Sequence, residues 1–550
     1  MNILTQLLTT EARANLSELV ARWWRIEILV VTDTIVSFGP EHDARNLNED
    51  YFGMSHLIGV LQQVGRVTRA HRSTDPLTAA DVIPNFRFNE HDLNAYHQIW
   101  LLGYATGTLP DAEQAAIAKF MNAGGGVFAT GDHAGLGSAL AGSLPRVRSM
   151  RHWSLPSAPD ATGPTRIDTT QADLNHVTVF ENQSDDIPQT LSLKWYPWAS
   201  SRFTREVYPH PLLCSPHGAI TELPDHMHEG EVVVPAKLDA RMNYIGAGVA
   251  AFDEYPPGPD GQRISPEIVA WGHSLGLADP EVMHGIHTGD TGPSAHRWSG
   301  TIGAYDGHRV GVGRVVVHST WHHFFDINLI GDNAANRPGF NDPRAPLWRK
   351  GFTASVDGQR VLGQIDQYYR NIVHWLSPNA GLTARFEALV AQVVTHHAIR
   401  EVIDGGKVSA EAVGAHAWEV ALRYFPPCTV MLLTNVVLAE FRPFRVLPWD
   451  GPQPGPGPDD GPQPPWPVPP RHMAQAALGG AVLAFAQIGS IDALHDAQGR
   501  RRLHDGARGA VRELLRNELH RTREAHAVLT KAVDALGSDA QTLSASEAPR

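Results

Sequence analysis

Cysteine is nearly absent: only Cys214 and Cys428 occur in 550 residues. That excludes a disulfide framework, and two isolated cysteines lack the paired spacing of a zinc site. A reducing compartment follows, and the cytoplasm is the expected location. Long apolar runs are missing as well, since nothing approaches the roughly 18 residues needed to span a bilayer. The nearest, AQAALGGAVLAFAQIGSI at 474–491, is rich in Ala and Gly, lies between Arg471 and Asp492, and reads as a buried helix. The N-terminal stretch, MNILTQLLTTEARANLSELVARWW, meets Glu11 and Arg13 before it can take signal-peptide form, so residues 1–24 read as an amphipathic helix. The third absence is a basic face. With a formal net charge of -13, and Arg500, Arg501 and Arg502 as the one dense basic cluster, no nucleic-acid partner is expected.

What is present suits a globular chain of about two to four domains. IEILVVTDT (26–34) is a short β-branched run of the kind buried on both faces of a parallel sheet. YFGMSHLIGVLQQVG (51–65) has helical spacing and closes on Gly65, which predicts a glycine C-cap. VTRAHR and HQIWLLGY (97–104) are further strand candidates. DAEQAAIAKFMNAG then predicts a helix from Asp111, followed by a glycine triplet, the strand VFAT and the turn GDHAGLG. Strands and helices alternating in this way imply βαβ crossovers and a mainly parallel sheet. From about 150 to 300 the pattern loosens into long loops with short strand candidates, HVTVF, EVVVPAK and EIVAWG, and such loops on an α/β scaffold tend to carry function. Regularity returns in the strand GVGRVVVHSTW (311–321) and the amphipathic helix VLGQIDQYYRNIVHWL (361–376).

The remainder reads as helical. ARFEALVAQVVTHHAIREVID and AHAWEVALRYF fill a region over 381–447, the Pro/Gly-rich stretch 448–470 forms an extended linker, a second helical region covers 471–536, and 537–550 reads as a disordered tail.

Four segments in order carry a resemblance: RIEILVVTDT, LPDAEQAAIAKFMNAGGGVFATGDHA, GRVVVHSTWHH and YYRNIVHWL. Together they resemble the trehalose-utilisation (ThuA-like) proteins of the class I glutamine amidotransferase-like superfamily, and they bracket residues 25–377. The resemblance implies a flavodoxin-like sheet with helices on both faces over 25–380, a small-molecule substrate and a place in carbohydrate metabolism. One departure matters. The amidotransferases present a cysteine at the turn after the strand that VFAT resembles, where backbone N–H groups can stabilise an oxyanion. Here the turn reads Gly131, Asp132, His133, Ala134, so glutamine hydrolysis by a thiolate is not expected. His133 is the residue that matches the family's histidine near this turn.

Ligands of open α/β sheets bind beyond the carboxyl ends of the strands. The residues expected there are Asp33, His42, Asp43 and Trp321 as substrate contacts, Asp132 and His133 as catalytic groups at the elbow, and His318 and His322 as further catalytic groups. A separate group in LPDHMHEGE, namely His226, His228 and Glu229, alternates imidazole and carboxylate and suits a divalent zinc, manganese or iron ion. Each has a structural alternative. Asp33 could cap a loop, Asp132 could bond turn amides, and His318 and Trp321 could be packed core residues. Two functions stay open at this point. One is an enzyme acting on a sugar or other polyhydroxylated molecule, by metal-assisted hydrolysis. The other is a non-catalytic scaffold on the same sheet, forming a homo-oligomer through the C-terminal helices.

Overall fold

A computed structural model describes residues 25–39, 52–76, 81–132, 135–153, 188–199, 205–224, 230–275, 297–331, 350–404, 408–439, 449, 468–488, 494 and 496–546. The chain divides into two units, one containing residues 21–194 and 209–384, the other 195–208 and 385–550 together with 1–20.

The first unit is built on a ten-stranded sheet. Its strands in chain order are β1 (Glu27–Thr32), β2 (Arg66–His71), β3 (Val82–Ile83), β4 (Gln98–Leu102), β5 (Gly126–Thr130), β6 (Gln189–Leu193), β7 (Glu222–Leu223), β8 (Glu267–Ser274), β9 (Arg297–Tyr305) and β10 (Val315–His318). In space they run β7-β6-β8-β9-β10-β5-β4-β1-β2-β3. Every pair from β10 to β3 is parallel, and every pair from β7 to β10 is antiparallel. β4, β5 and β10 are buried at every residue, as is β1 after Glu27, which accounts for their mostly apolar composition.

Around this sheet lie α1 (Ser55–Gln62), α2 (Asp111–Asn122), the short α3 (Ser138–Ala141) and α4 (Asp326–Leu329), and the long α5 (Val356–Leu376). α5 starts at Ser355, whose hydroxyl accepts from Gly358 N at 2.9 Å, an ordinary N-cap. α1 has no side-chain cap of its own at Met54. The Asp326 carboxylate, from the start of α4, does that work by accepting from Ser55 N, Ser55 Oγ and His56 N at 2.9, 2.6 and 2.9 Å. α1 ends at Gln62, and Gly65 is not a left-handed C-cap. Gly65 serves close approach instead, because a Cβ there would lie 2.8 Å from the Ile26 carbonyl oxygen and from Ile28 Cδ1.

The loop-rich middle expected from 150–300 is partly sheet. EIVAWG lies within β8, whereas EVVVPAK forms no strand and makes only isolated bridges, one of them from Val232 to Arg151. HVTVF lies outside the described residues, as do the helix expected over 1–24 and most of the 448–470 stretch.

The second unit contains α6 (Asn379–Thr395, from Arg385 onward), α7 (His397–Asp404), α8 (Ala410–Ala421), α9 (Pro427–Leu438), α10 (Pro470–Ile488) and α11 (Ala497–Ser546). The helix expected over 384–404 is broken at His396, whose Nδ1 accepts from Ala398 N at 3.3 Å and restarts the chain as α7. α10 carries the Ala/Gly run and buries it. Gly479 packs on the Ala410 carbonyl, and Gly480 on that of Gly506, so small residues let α8 and α11 approach closely. Among the described residues no helix is long and apolar enough to cross a membrane. α11 continues to Ser546, past the point where the sequence suggests a disordered tail. Extending an existing helix needs no new nucleus.

Candidate active site

β1, β4, β5 and β10 end level. Thr32 pairs with Leu102, Leu102 with Thr130, and Thr130 with His318. The residues that follow each strand therefore emerge along one edge, the carboxyl edge where open α/β sheets bind ligands. The loops after β5 and β10 are tied to one another there. Thr130 Oγ1 donates to the Thr320 carbonyl at 2.7 Å. The fully buried Arg151 donates through Nη2 to the carbonyls of Asp132 and Ser319, both at 2.7 Å, and through Nη1 to that of His152 at 3.0 Å. One guanidinium thus holds both loops. Gly230 passes over this junction so closely that a Cβ would stand 2.2 Å from the Ser319 carbonyl oxygen and 2.4 Å from Arg151 Nη2.

This frame brings Asp132 and His322 together. Nε2 of His322 lies 3.3 Å from Oδ2 of Asp132, a carboxylate only 1% exposed, while the imidazole is 19% exposed. On the other side of the ring, Nδ1 lies 3.1 Å from Asn328 Oδ1. Both ring nitrogens thus face a hydrogen-bonding oxygen, one of a carboxylate and one of an amide. The His322 backbone N–H donates to Thr320 Oγ1 at 3.2 Å. The ring therefore sits between a carboxylate and an amide, which fix its plane. Such a group can relay a proton to and from a reacting oxygen.

His318 occupies a different environment. It is fully buried, with Nδ1 3.1 Å from the Tyr368 hydroxyl and Nε2 2.7 Å from His323 Nδ1. Burial pushes its pKa well below the ordinary histidine value, with His323 and Arg151 adding to the effect. His318 is thus a neutral link in a buried Tyr368–His318–His323 chain beneath the loop that carries His322. Tyr369 reinforces that chain through a hydrogen bond from its hydroxyl to the His323 carbonyl.

Asp33 is buried directly after β1, where its Oδ1 accepts from Tyr104 N at 2.6 Å and Ala105 N at 3.1 Å and clamps the loop after β4. Trp321 is 3% exposed and packs among Tyr104, Phe52 and Phe325, with ring centroids 5.3, 5.6 and 5.5 Å away. Its neighbours are protein aromatics. His133, His42, Asp43, His226, His228 and Glu229 lie outside the described residues. Among the described residues no group of three or more His, Cys, Asp or Glu side chains is placed to hold a metal ion. The chain re-enters the described region at Gly230, on the Ser319 junction, and Glu231 follows with Oε2 3.8 Å from His152 Nε2.

Arg151, Thr320, Asn328 and Tyr368 belong to the site's frame and are not foreseen from the sequence. Arg151 lies in a stretch without strand or helix periodicity, and Asn328 in the four-residue α4, too short to leave a pattern. The one usable signal was the i, i+6 spacing of His322 and Asn328 across a turn, and many unrelated pairs share it. Comparison with protein families, with curated proteins and with solved structures finds no match to this chain.

Proposed function

We propose that the chain is a hydrolytic enzyme of the ThuA-like type, acting on a sugar or other polyhydroxylated small molecule at the carboxyl edge of β5 and β10. The observation that carries this reading is the Asp132–His322 approach at 3.3 Å, with Asn328 on the opposite ring nitrogen. A flavodoxin-like reading of the sheet is supported by the order of its five main parallel strands, β2-β1-β4-β5-β10, which in chain order is 2-1-3-4-5. The family relation rests on the four sequence segments alone, and a cytoplasmic setting on the scarcity of cysteine.

In the proposed reaction on a sugar ester, His322 takes a proton from a water molecule as the water oxygen bonds to the carbonyl carbon, whose π electron pair moves onto the carbonyl oxygen and returns in the next step. The carbon–oxygen bond to the leaving group then breaks, and the imidazolium returns its proton to that oxygen. Asp132 stabilises the imidazolium between these two steps, and Asn328 keeps the ring in plane. Arg151 acts by positioning, since it holds the backbone of both loops. His226, His228 and Glu229 would hold the divalent ion, which when bound lowers the pKa of a coordinated water and polarises a substrate oxygen.

Two measurements test this separately. A panel of glycosides and sugar esters, assayed with wild type, His322→Gln and Asp132→Asn, should give hydrolysis that falls about 100-fold or more in either variant; a His322→Gln protein with full activity would reject the acid–base assignment. Elemental analysis of purified protein should find zinc, manganese or iron that is lost in the His226→Ala/His228→Ala double variant. Metal-free active protein would remove the ion and leave the His322 assignment standing.

A further inference from the structure

α11 outlasts the packing that begins it. Val511 and Leu514 are buried, but every residue from Leu519 to Leu536 is exposed. A helix gains little stability in water from propensity alone and usually depends on burying an apolar face. This one carries such a face in the open: Leu519, Val528, Leu529, Val533 and Leu536 are 49, 66, 63, 66 and 70% exposed.

The spacing of that face is specific. Leu515, Leu519, Thr522, His526, Leu529, Val533 and Leu536 follow one another at alternating steps of four and three, and the sequence continues the pattern at Ala540 and Leu543. A 4-3 repeat sustained over four heptads is the pattern of a coiled-coil seam, whereas a helix lying on a globular core shows a broader apolar stripe. In heptad terms Leu515, Thr522, Leu529, Leu536 and Leu543 fall at d, and Leu519, His526, Val533 and Ala540 at a. Val528 falls at c, outside the seam.

We propose that α11 from Leu515 onward pairs with α11 of a second copy of this chain as a parallel, in-register two-stranded coiled coil. Charge favours this occupant and this orientation. In a parallel pair the g position of one helix faces the following e position of the other, which sets Glu518 opposite Arg523 of the second copy. The next g and e residues, Ala525, Thr530 and Ala532, are uncharged, so no like charges meet. An antiparallel pair would set g against g and leave Glu518 facing only glutamate, aspartate or alanine. His526 is the one polar a residue, and it fixes register at some cost in stability, as a lone polar a residue does.

The test uses the full chain and sedimentation equilibrium. Wild type should sediment as a dimer of the 60.0 kDa chain. Leu529→Lys should weaken dimerisation about 100-fold or more, while Val528→Lys, one residue away and equally exposed, should leave it unchanged; His526→Leu should tighten it. Leu536→Cys should form an interchain disulfide between like positions on mild oxidation, which an antiparallel pair would not allow. A monomeric wild type, equal effects of the two lysine substitutions, or no cross-link at position 536 would each overturn the proposal.

Discussion

Asp132 and His322 stand at the ends of adjacent parallel strands, and their side chains meet at 3.3 Å although most of the chain's loop-rich middle separates them in sequence. The register explains the meeting. Thr130 is opposite His318, so two residues further on one strand and four on the other reach the same place above the sheet edge. The turn after β5 and the loop after β10 are held there by Arg151, not by their own regular structure.

That role of Arg151 has a measurable consequence. Its guanidinium donates to three carbonyls inside the protein, and Arg151→Met would leave those acceptors buried without their donor. A loss of about 3 kcal/mol in urea unfolding is expected, from several charge-assisted hydrogen bonds. A loss below about 0.5 kcal/mol would mean that the loops are held by other contacts.

Gly230 gives a sharper comparison. Gly230→Ala forces a Cβ against the Ser319 carbonyl and Arg151, and should cost about 1–3 kcal/mol. Gly246→Ala meets nothing within 4 Å and should stay within about 0.5 kcal/mol of wild type. Gly363, exposed on α5 with open space around it, should stabilise by about 1 kcal/mol when changed to Ala, through helix propensity and a less flexible unfolded chain. Thermal unfolding of the three variants orders them directly.

Stability should depend on two buried histidines. Burial lowers the pKa of His210 from 6.5 to about 3 and that of His318 well below 6.5. Between the folded and unfolded values the unfolded chain binds more protons, so this stability is whole above pH 6.5 and is lost as pH falls below it. The expected slope is about 1.4 kcal/mol per pH unit for each histidine. Urea midpoints measured from about pH 7.5 down to about pH 5 should fall, and less steeply in His318→Gln. A flat profile would mean that these rings are solvated.

Much of the parallel half of the sheet was legible in the sequence, because β1, β4, β5 and β10 are buried on both faces and are therefore mostly apolar runs. Helices α2 and α5 were legible for the complementary reason, a one-sided apolar period. β9, RWSGTIGAY, was not. Its Gly300 lies under the Val232 carbonyl, where a Cβ would come within 2.2 Å, so small residues replace the alternation that marks a strand. The crossing segment was misread in turn: EVVVPAK is apolar because it lies buried over β9, not because it pairs along its length. At the site, the strand ends announced Asp132, His318 and His322, but sequence could not tell the partly exposed His322 from the buried His318. That difference depends on Tyr368, His323 and Asn328, which only the fold brings near.

The most direct test of the central claim is a double-mutant cycle on Asp132→Asn and His322→Gln, read in the rate of hydrolysis of the best substrate from the glycoside and ester panel. If the two side chains act as one acid–base unit, the double variant should be about as slow as the worse single variant, the non-additivity expected of groups that work together. Losses that multiply independently, with each variant fully folded, would contradict the account.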